Sequence, residues 1–198
     1  MIKKISVICI LVTFILTILG CGELRFCQLA PKAKNFHPRR IAVFPMEVWN
    51  HKEADSRKVV EQIVAGSLVE KKLFDHVTDV ENLEKQIKEN EELAKVKDEY
   101  FSKLKTLAFS DPDLSRKMGE LAGIDAFLLL SIDEWKYTEE GDNKTAQVGV
   151  TMEMYDVSTG KLMWKANHAI TSEYLLIKPE LPKVARDVIG KMINYMPH

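Results

Sequence analysis

The sequence predicts an α/β fold of the α+β kind: a mixed β-sheet ending in an antiparallel three-strand meander, with helices mainly on one face. Three observations predict it. Ile41 to Phe44 is an uninterrupted apolar run stopped by Pro45, the pattern of a buried strand, and a helical stripe follows it. At Ala126 the period changes: Ala126 to Ile132 is almost wholly apolar, and two later runs alternate apolar with polar residues. The chain then closes on an amphipathic helix from Leu181 to Met196, with Val184, Val188, Met192 and Tyr195 along one side.

The elements follow in order from the amino terminus. Lys3 and Lys4 make a short positive region, Ile5 to Leu19 carries no charge, and Gly20 stands before Cys21. This apolar run is shorter than the roughly 18 to 20 residues that span a bilayer, and a small-residue cleavage site ends it. The segment Ile18-Leu19-Gly20-Cys21 resembles the lipobox of bacterial lipoprotein precursors; an uncleaved anchor helix is the alternative. The resemblance implies cleavage after Gly20, a diacylglyceryl group on the Cys21 thiol and acylation of the new amine. Gly22, not aspartate, follows Cys21, so the resemblance further implies an outer-membrane anchor with the protein facing the periplasm.

Residues 1–20 are therefore set aside as a signal peptide, which takes the formal net charge from −1 to −3 by removing Lys3 and Lys4. Such a balance gives no reason to expect nucleic acid as a partner, because that binding rests on concentrated positive charge. With Cys9 discarded and Cys21 lipidated, Cys27 is expected as the one free thiol, and no intramolecular disulfide is expected in the mature chain.

Residues 21–40 read as the lipidated cysteine and a tether, interrupted by Pro31, Pro38, Lys32, Lys34, Arg39 and Arg40. Fully extended, residues 22–40 reach at most about 65 Å. Residues 41–198 read as a single α/β domain. After its first strand, Asp55 to Leu73 is helical, with Val59, Val60, Ile63, Val64 and Leu68 in one stripe. Phe74 to Val77 is a short strand, and the next helix opens either on a Thr78–Glu81 capping box or on Asp79 as a simple cap. Residues 84–105 form a charged helical insertion, dense in Glu and Lys. Asp111-Pro112 opens another helix and Gly123 ends it. Val148, Val150, Met152 and Met154 then alternate with polar residues, and Leu162, Trp164, Ala166, His168 and Ile170 share one face of the returning strand.

Four segments together are similar to the superfamily of CsgG-type lipoproteins, the TolB amino-terminal domain and the LpoB activators of cell-wall synthesis. They are Ile41 to Pro45, Leu73 to Asp79, Met118 to Leu130 with its Leu-Ala-Gly-Ile-Asp-Ala core, and Met154 to Ala166. Within this group the chain most resembles a small family of envelope lipoproteins of unknown function. The most specific element is Asp156-Val157-Ser158-Thr159-Gly160 followed by Trp164. It also has a physical reading: Asp156 and Ser158 favour a turn, Gly160 tolerates positive φ, and Trp164 packs inward on the returning strand.

Catalytic patterns are absent from the sequence. No Gly-rich loop carries the Lys-Ser/Thr of a phosphate loop, and no Gly-x-Ser-x-Gly elbow occurs. The histidines, His37, His51, His76, His168 and His198, never stand at i, i+4, so neither a metal nor a cofactor is expected beyond the lipid on Cys21. His168 reads as a satisfied core histidine, and the doublets Asp133-Glu134 and Glu139-Glu140 as strand ends or solvated turns. The expectation is a non-enzymatic, lipid-anchored accessory protein whose partners are other envelope proteins or copies of itself. Gln147, Thr151, Glu153, Lys165 and Asn167 on the polar sheet face are the candidate partner-binding residues. An LpoB-like activator of cell-wall synthesis and a CsgG-like oligomeric export component are the alternatives the resemblance implies.

Overall fold

The computed structural model describes residues 23–46, 54–141 and 143–198. The expected signal peptide and Cys21, with the Trp49-Asn50-His51 stretch, lie outside the described residues. Six strands form one mixed sheet: β1 (Phe26–Leu29), β2 (Arg40–Val43), β3 (His76–Thr78), β4 (Ala126–Glu140), β5 (Asn143–Asp156) and β6 (Leu162–Glu173). Their order across the sheet is β1-β6-β5-β4-β2-β3. β2 runs parallel to β3 and β4, while β4, β5, β6 and β1 pair antiparallel. The helices are α1 (Ala54–Lys71), α2 (Val80–Glu89), α3 (Glu91–Leu107), α4 (Pro112–Ala122) and α5 (Leu181–Ile193).

Helices cover both faces of the sheet, not mainly one. Val60, Val64 and Leu68 of α1 and Val184, Val188 and Met192 of α5 pack on the face carrying Ile41, Leu128, Val150, Met152 and Trp164. A second core on the opposite face joins Leu83 of α2, Leu93, Val96 and Tyr100 of α3 and Met118 of α4 to Ala42, Phe44, Phe127 and Tyr155. The charged segment 84–105 is helical, and it is seated on this second core. Leu93, Val96 and Tyr100 stand at i, i+3 and i+7 and are buried to 1%, 6% and 0% exposure, so a narrow stripe suffices to seat a highly charged helix. Asn90 divides the segment: it ends α2, and its side chain caps α3 by accepting from Leu93 N–H at 3.0 Å. Phe127 lies at the centre of this second core, stacked on Tyr155 at 5.1 Å and edge-on to Phe44 and Tyr100.

Two further differences bear on function. Part of the expected tether is folded: β1 pairs along β6, with Phe26 beside Asn167 and Leu29 beside Trp164, and Ala33 and Pro38 are buried. A four-residue strand between charged and proline-bearing segments gives too short a period to read, yet the outer edge of β6 supplies its hydrogen bonds. Cys27 is disulfide-bonded, against the expectation of a free thiol; the chain's other cysteines, Cys9 and Cys21, lie outside the described residues. Within one mature chain that bond is incompatible with cleavage after Gly20 together with lipid on the Cys21 thiol, so the lipid-anchored form is one without it.

Local chemistry otherwise follows the sequence. Asp79, not Thr78, caps α2, accepting from Asn82 N–H at 2.8 Å, while Thr78 is buried in β3. Asp111 caps α4 and Gly123 ends it at φ +68°. Asp125, in the Ile-Asp-Ala stretch, ties three strands together. Its carboxylate accepts from Arg39 N–H, Arg40 N–H and the Arg40 guanidinium at 3.1, 2.9 and 2.7 Å. Its backbone bonds Arg40 O and Val157 N–H. Burial alone pushes this carboxyl up, but the Arg40 side chain and the two amides outweigh it and hold the pKa below the usual range. A depressed folded-state pKa stabilises the fold above the unfolded value of about 3.9 and is lost as pH falls through the folded value. D125N should therefore lower the melting temperature at pH 7 and flatten its acid-side decline; a decline as steep as in the parent protein would remove Asp125 from that role.

Candidate protein-interaction face

The helices α2 to α4 cover only half of their face, over β2, β3 and the adjoining ends of β4 and β5. The outer half, over β5, β6 and β1, is open and polar. Alternation along β5 and β6 sends Val148, Val150, Met152, Trp164 and Ala166 into the core and turns Gln147, Thr151, Glu153, Lys165 and Asn167 to this side. The structure brings these five candidate residues onto one surface. Thr151 lies directly across from Asn167, Glu153 across from Lys165, and Gln147 across from Thr171.

Their side chains form two connected groups. Asp133 Oδ2 accepts from the Thr151 hydroxyl at 2.8 Å and from Asn167 Nδ2 at 2.9 Å, and Asn167 Nδ2 also reaches Thr151 Oγ1 at 2.9 Å. Lys165 Nζ meets Glu153 Oε1 at 2.6 Å, and the Tyr155 hydroxyl donates to Glu153 Oε2 at 3.0 Å. Burial, with the Glu153 carboxylate beside it, pushes the Tyr155 phenol well above its ordinary value, so it stays a neutral donor. Gln147 stands apart, donating to Thr145 Oγ1 at 3.2 Å. The face is thus polar and held in place by its own hydrogen bonds and the Glu153–Lys165 ion pair.

Asp133 is the residue that reading the sequence misplaced. It is neither a strand end nor a turn: β4 runs fifteen residues to Glu140, and a bulge between Ile132 and Glu134 sets Asp133 out of register. The Asp-Glu pair inside a strand was the available signal. Phe26 and Gln28 of β1 extend the same face, with Phe26 44% exposed beside Asn167. Nothing in the sequence period marked them. His168 is buried on the opposite, core-facing side, as its position implied. It is not satisfied, because neither ring nitrogen has a partner among the described residues. Burial, together with Lys191 and Arg25 nearby, lowers its pKa and keeps the ring neutral.

Elsewhere, a groove of about 1000 Å³ runs between α3 and the sheet, walled by Phe44, Phe101, Leu104 and Leu129 with Lys97 and Lys105 at its rim. Among the described residues its lining holds hydroxyls (Ser102, Thr106 and Ser131) but no histidine. Among the described residues no three His, Cys, Asp or Glu side chains cluster as metal ligands. No described helix is long and apolar enough to cross a membrane.

No protein-family model matches the chain. No curated protein is similar to it either. Solved structures do share its fold. The PelC dodecamer from Paraburkholderia phytofirmans is similar over 87% of this chain and 95% of its own, with 19% identity and a TM-score of 0.56. A single-substitution variant of that dodecamer gives 18% identity, 87% and 97% coverage and a TM-score of 0.54. The lipoprotein GNA1162 from Neisseria meningitidis covers 79% of this chain and 99% of its own at 15% identity, with a TM-score of 0.47. At these identities the PelC likeness establishes a common fold, reached from a sequence about four-fifths different.

Proposed function

We propose that this protein is a lipid-anchored component of the bacterial envelope, without catalytic activity of its own, that serves a transport, secretion or envelope-assembly machine by protein contact. The open half of the sheet is the contact surface. The observation that carries this reading is the pair of side-chain networks on that surface, Thr151–Asp133–Asn167 and Glu153–Lys165–Tyr155. Groups already fixed in place lose little conformational freedom when a partner docks, which favours binding. None of these residues lines the groove between α3 and the sheet or the one beside α1, so the surface suits a protein better than a small substrate, which needs a concave site.

Self-association is the second reading, supported by the dodecamer form of the PelC protein that shares this fold. The β1 strand at the sheet margin adds an edge that a second copy could extend. An LpoB-like role, which depends on reach across the periplasm, is disfavoured because β1 takes up much of the tether.

The test combines Thr151→Arg with Lys165→Glu, which adds bulk at one network and breaks the other. Crosslinking in intact membranes should lose the main partner at least tenfold while the melting temperature moves by only a few degrees. Unchanged crosslinking would sink this mapping of the face. Native mass spectrometry of the same variant identifies the occupant: an oligomer falling to monomers assigns the face to a second copy.

A further inference from the structure

The loop joining β6 to α5 presents three consecutive aliphatic side chains to solvent. Leu175, Leu176 and Ile177 are 82%, 97% and 86% exposed, more than any other large apolar residue described. Single exposed apolar residues are ordinary, but a contiguous run marks an interaction site. The loop is firmly seated. Tyr174 N–H donates to Lys144 O at 2.9 Å, the Tyr137 hydroxyl donates to Pro179 O at 2.9 Å, and Lys178 Nζ lies 3.5 Å from the Tyr137 ring centre. Tyr137 and Tyr174 pack edge to face at 6.3 Å. An aliphatic tip backed by two tyrosines and a lysine has the layering of a bilayer surface: apolar outermost, amphipathic side chains at headgroup depth.

Strand direction relates this tip to the amino terminus. β1 runs antiparallel to β6 with Phe26 beside Asn167, so the chain before Phe26 heads toward the Glu173 end of β6, where the tip is. Arg25 meets Glu134 at 3.4 Å, and Glu134 lies level with Gly149 and Ala169. Strand geometry puts Tyr174 about 17 Å beyond Ala169. The four steps from Arg25 back to Cys21 reach about 14 Å. A lipid on Cys21 and the aliphatic tip can therefore enter one plane. The exposed Leu107 and Phe109 cannot, since Ser110 hydrogen-bonds Gly160 in the turn at the opposite end of β5 and β6.

We propose that Leu175, Leu176 and Ile177 insert into the leaflet that holds the lipid on Cys21, docking the protein on the bilayer in one orientation. The occupant is a phospholipid surface of zwitterionic headgroups, because Glu139, Glu140 and Glu173 at this end of the strands offset Lys144 and Lys178 and leave no excess of positive charge to draw an anionic one. The inference rests on the lipid-anchor reading above.

The test uses the full mature chain in vesicles of phosphatidylethanolamine and phosphatidylcholine with brominated acyl chains, which quench only tryptophan that enters the hydrocarbon. L176W and L107W are compared with the parent protein and its three native tryptophans. The emission added by L176W should fall by at least half, and that added by L107W should not change. Equal quenching of the two overturns the proposal. In a Cys21→Ser background, L175S/L176S/I177S should weaken vesicle partition by roughly 1000-fold or more, the combined loss of three apolar side chains; equal partition would likewise overturn it. The mass of the amino-terminal peptide separates the two readings. If it carries lipid and L176W is unquenched, only the tip inference fails; if it carries none, the anchor reading fails and quenching still decides the tip. An unquenched L176W, with self-association lost in the triple serine variant, reassigns the tip to a second copy.

Discussion

Trp164→Ala should destabilise the protein by about 3–5 kcal/mol, the range for removing a large aromatic side chain from a packed core. Trp164 is fully buried, lies across from Met154 on one side and Leu29 on the other, and belongs to the core shared by α1, α5 and the sheet. Its loss opens a cavity where three strands meet, so little neighbouring structure can collapse into it. Urea unfolding should show the loss directly, with a fall in melting temperature of about 10 °C or more. Trp164→Phe should cost much less, because Nε1 has no hydrogen-bond partner among the described residues to lose. A loss below about 1 kcal/mol for the alanine variant would show that the core closes over the gap and that Trp164 is dispensable to it.

That contrast settles what the Asp156-to-Trp164 element does physically. Asp156 accepts from Ser158 N–H and the Ser158 and Thr159 hydroxyls, and Gly160 turns the chain at φ +66°. The turn fixes the register that delivers Trp164 to the core. Every link was legible in the sequence, because turn chemistry and strand alternation are local and each side chain has one plausible use. The helical stripes of α1 and α5 and the central run of β4 were legible for the same reason.

What failed to show depends on contacts between distant segments. The period of α3 was visible in Leu93, Val96 and Tyr100, but not that Phe44 and Phe127 wait on the far face of the sheet to receive it. The bulge that displaces Asp133 reflects the fit of β4 to β5 over their whole length, so no window of β4 alone reveals it. β1 is the sharpest case. Phe26-Cys27-Gln28-Leu29 has no strand signature of its own and is ordered by the edge of β6. The candidate face was half legible: alternation found Thr151, Glu153, Lys165 and Asn167, whereas Asp133, Phe26 and Gln28 join it only through the bulge and the edge strand.

Cys21→Ser should move the protein from the membrane fraction to the soluble fraction almost completely. The lipobox resemblance implies three acyl chains on Cys21. One chain of that kind gives only marginal, reversible membrane binding with K of about 10⁴ M⁻¹, and each further chain multiplies it, so the modified residue dominates all other membrane contacts. Leu175, Leu176 and Ile177 alone cannot replace it. Partner crosslinking should fall along with membrane association. With lipid on Cys21 the unfolding midpoint should stay put, because the strands and both cores are built from residues beyond Cys21; a clear fall would instead mark Cys21 as the disulfide partner of Cys27. A Cys21→Ser protein still sedimenting with membranes after a high-salt wash would reject the lipid anchor. The folded β1 gives this result a geometric meaning. A tether of 19 residues would let the domain sample a shell some tens of ångströms deep, whereas the steps between Cys21 and Arg25 hold it against the leaflet. If Cys21 carries the lipid, a partner held at the membrane surface would lose contact with the Cys21→Ser protein, whereas a soluble partner would bind parent and variant alike.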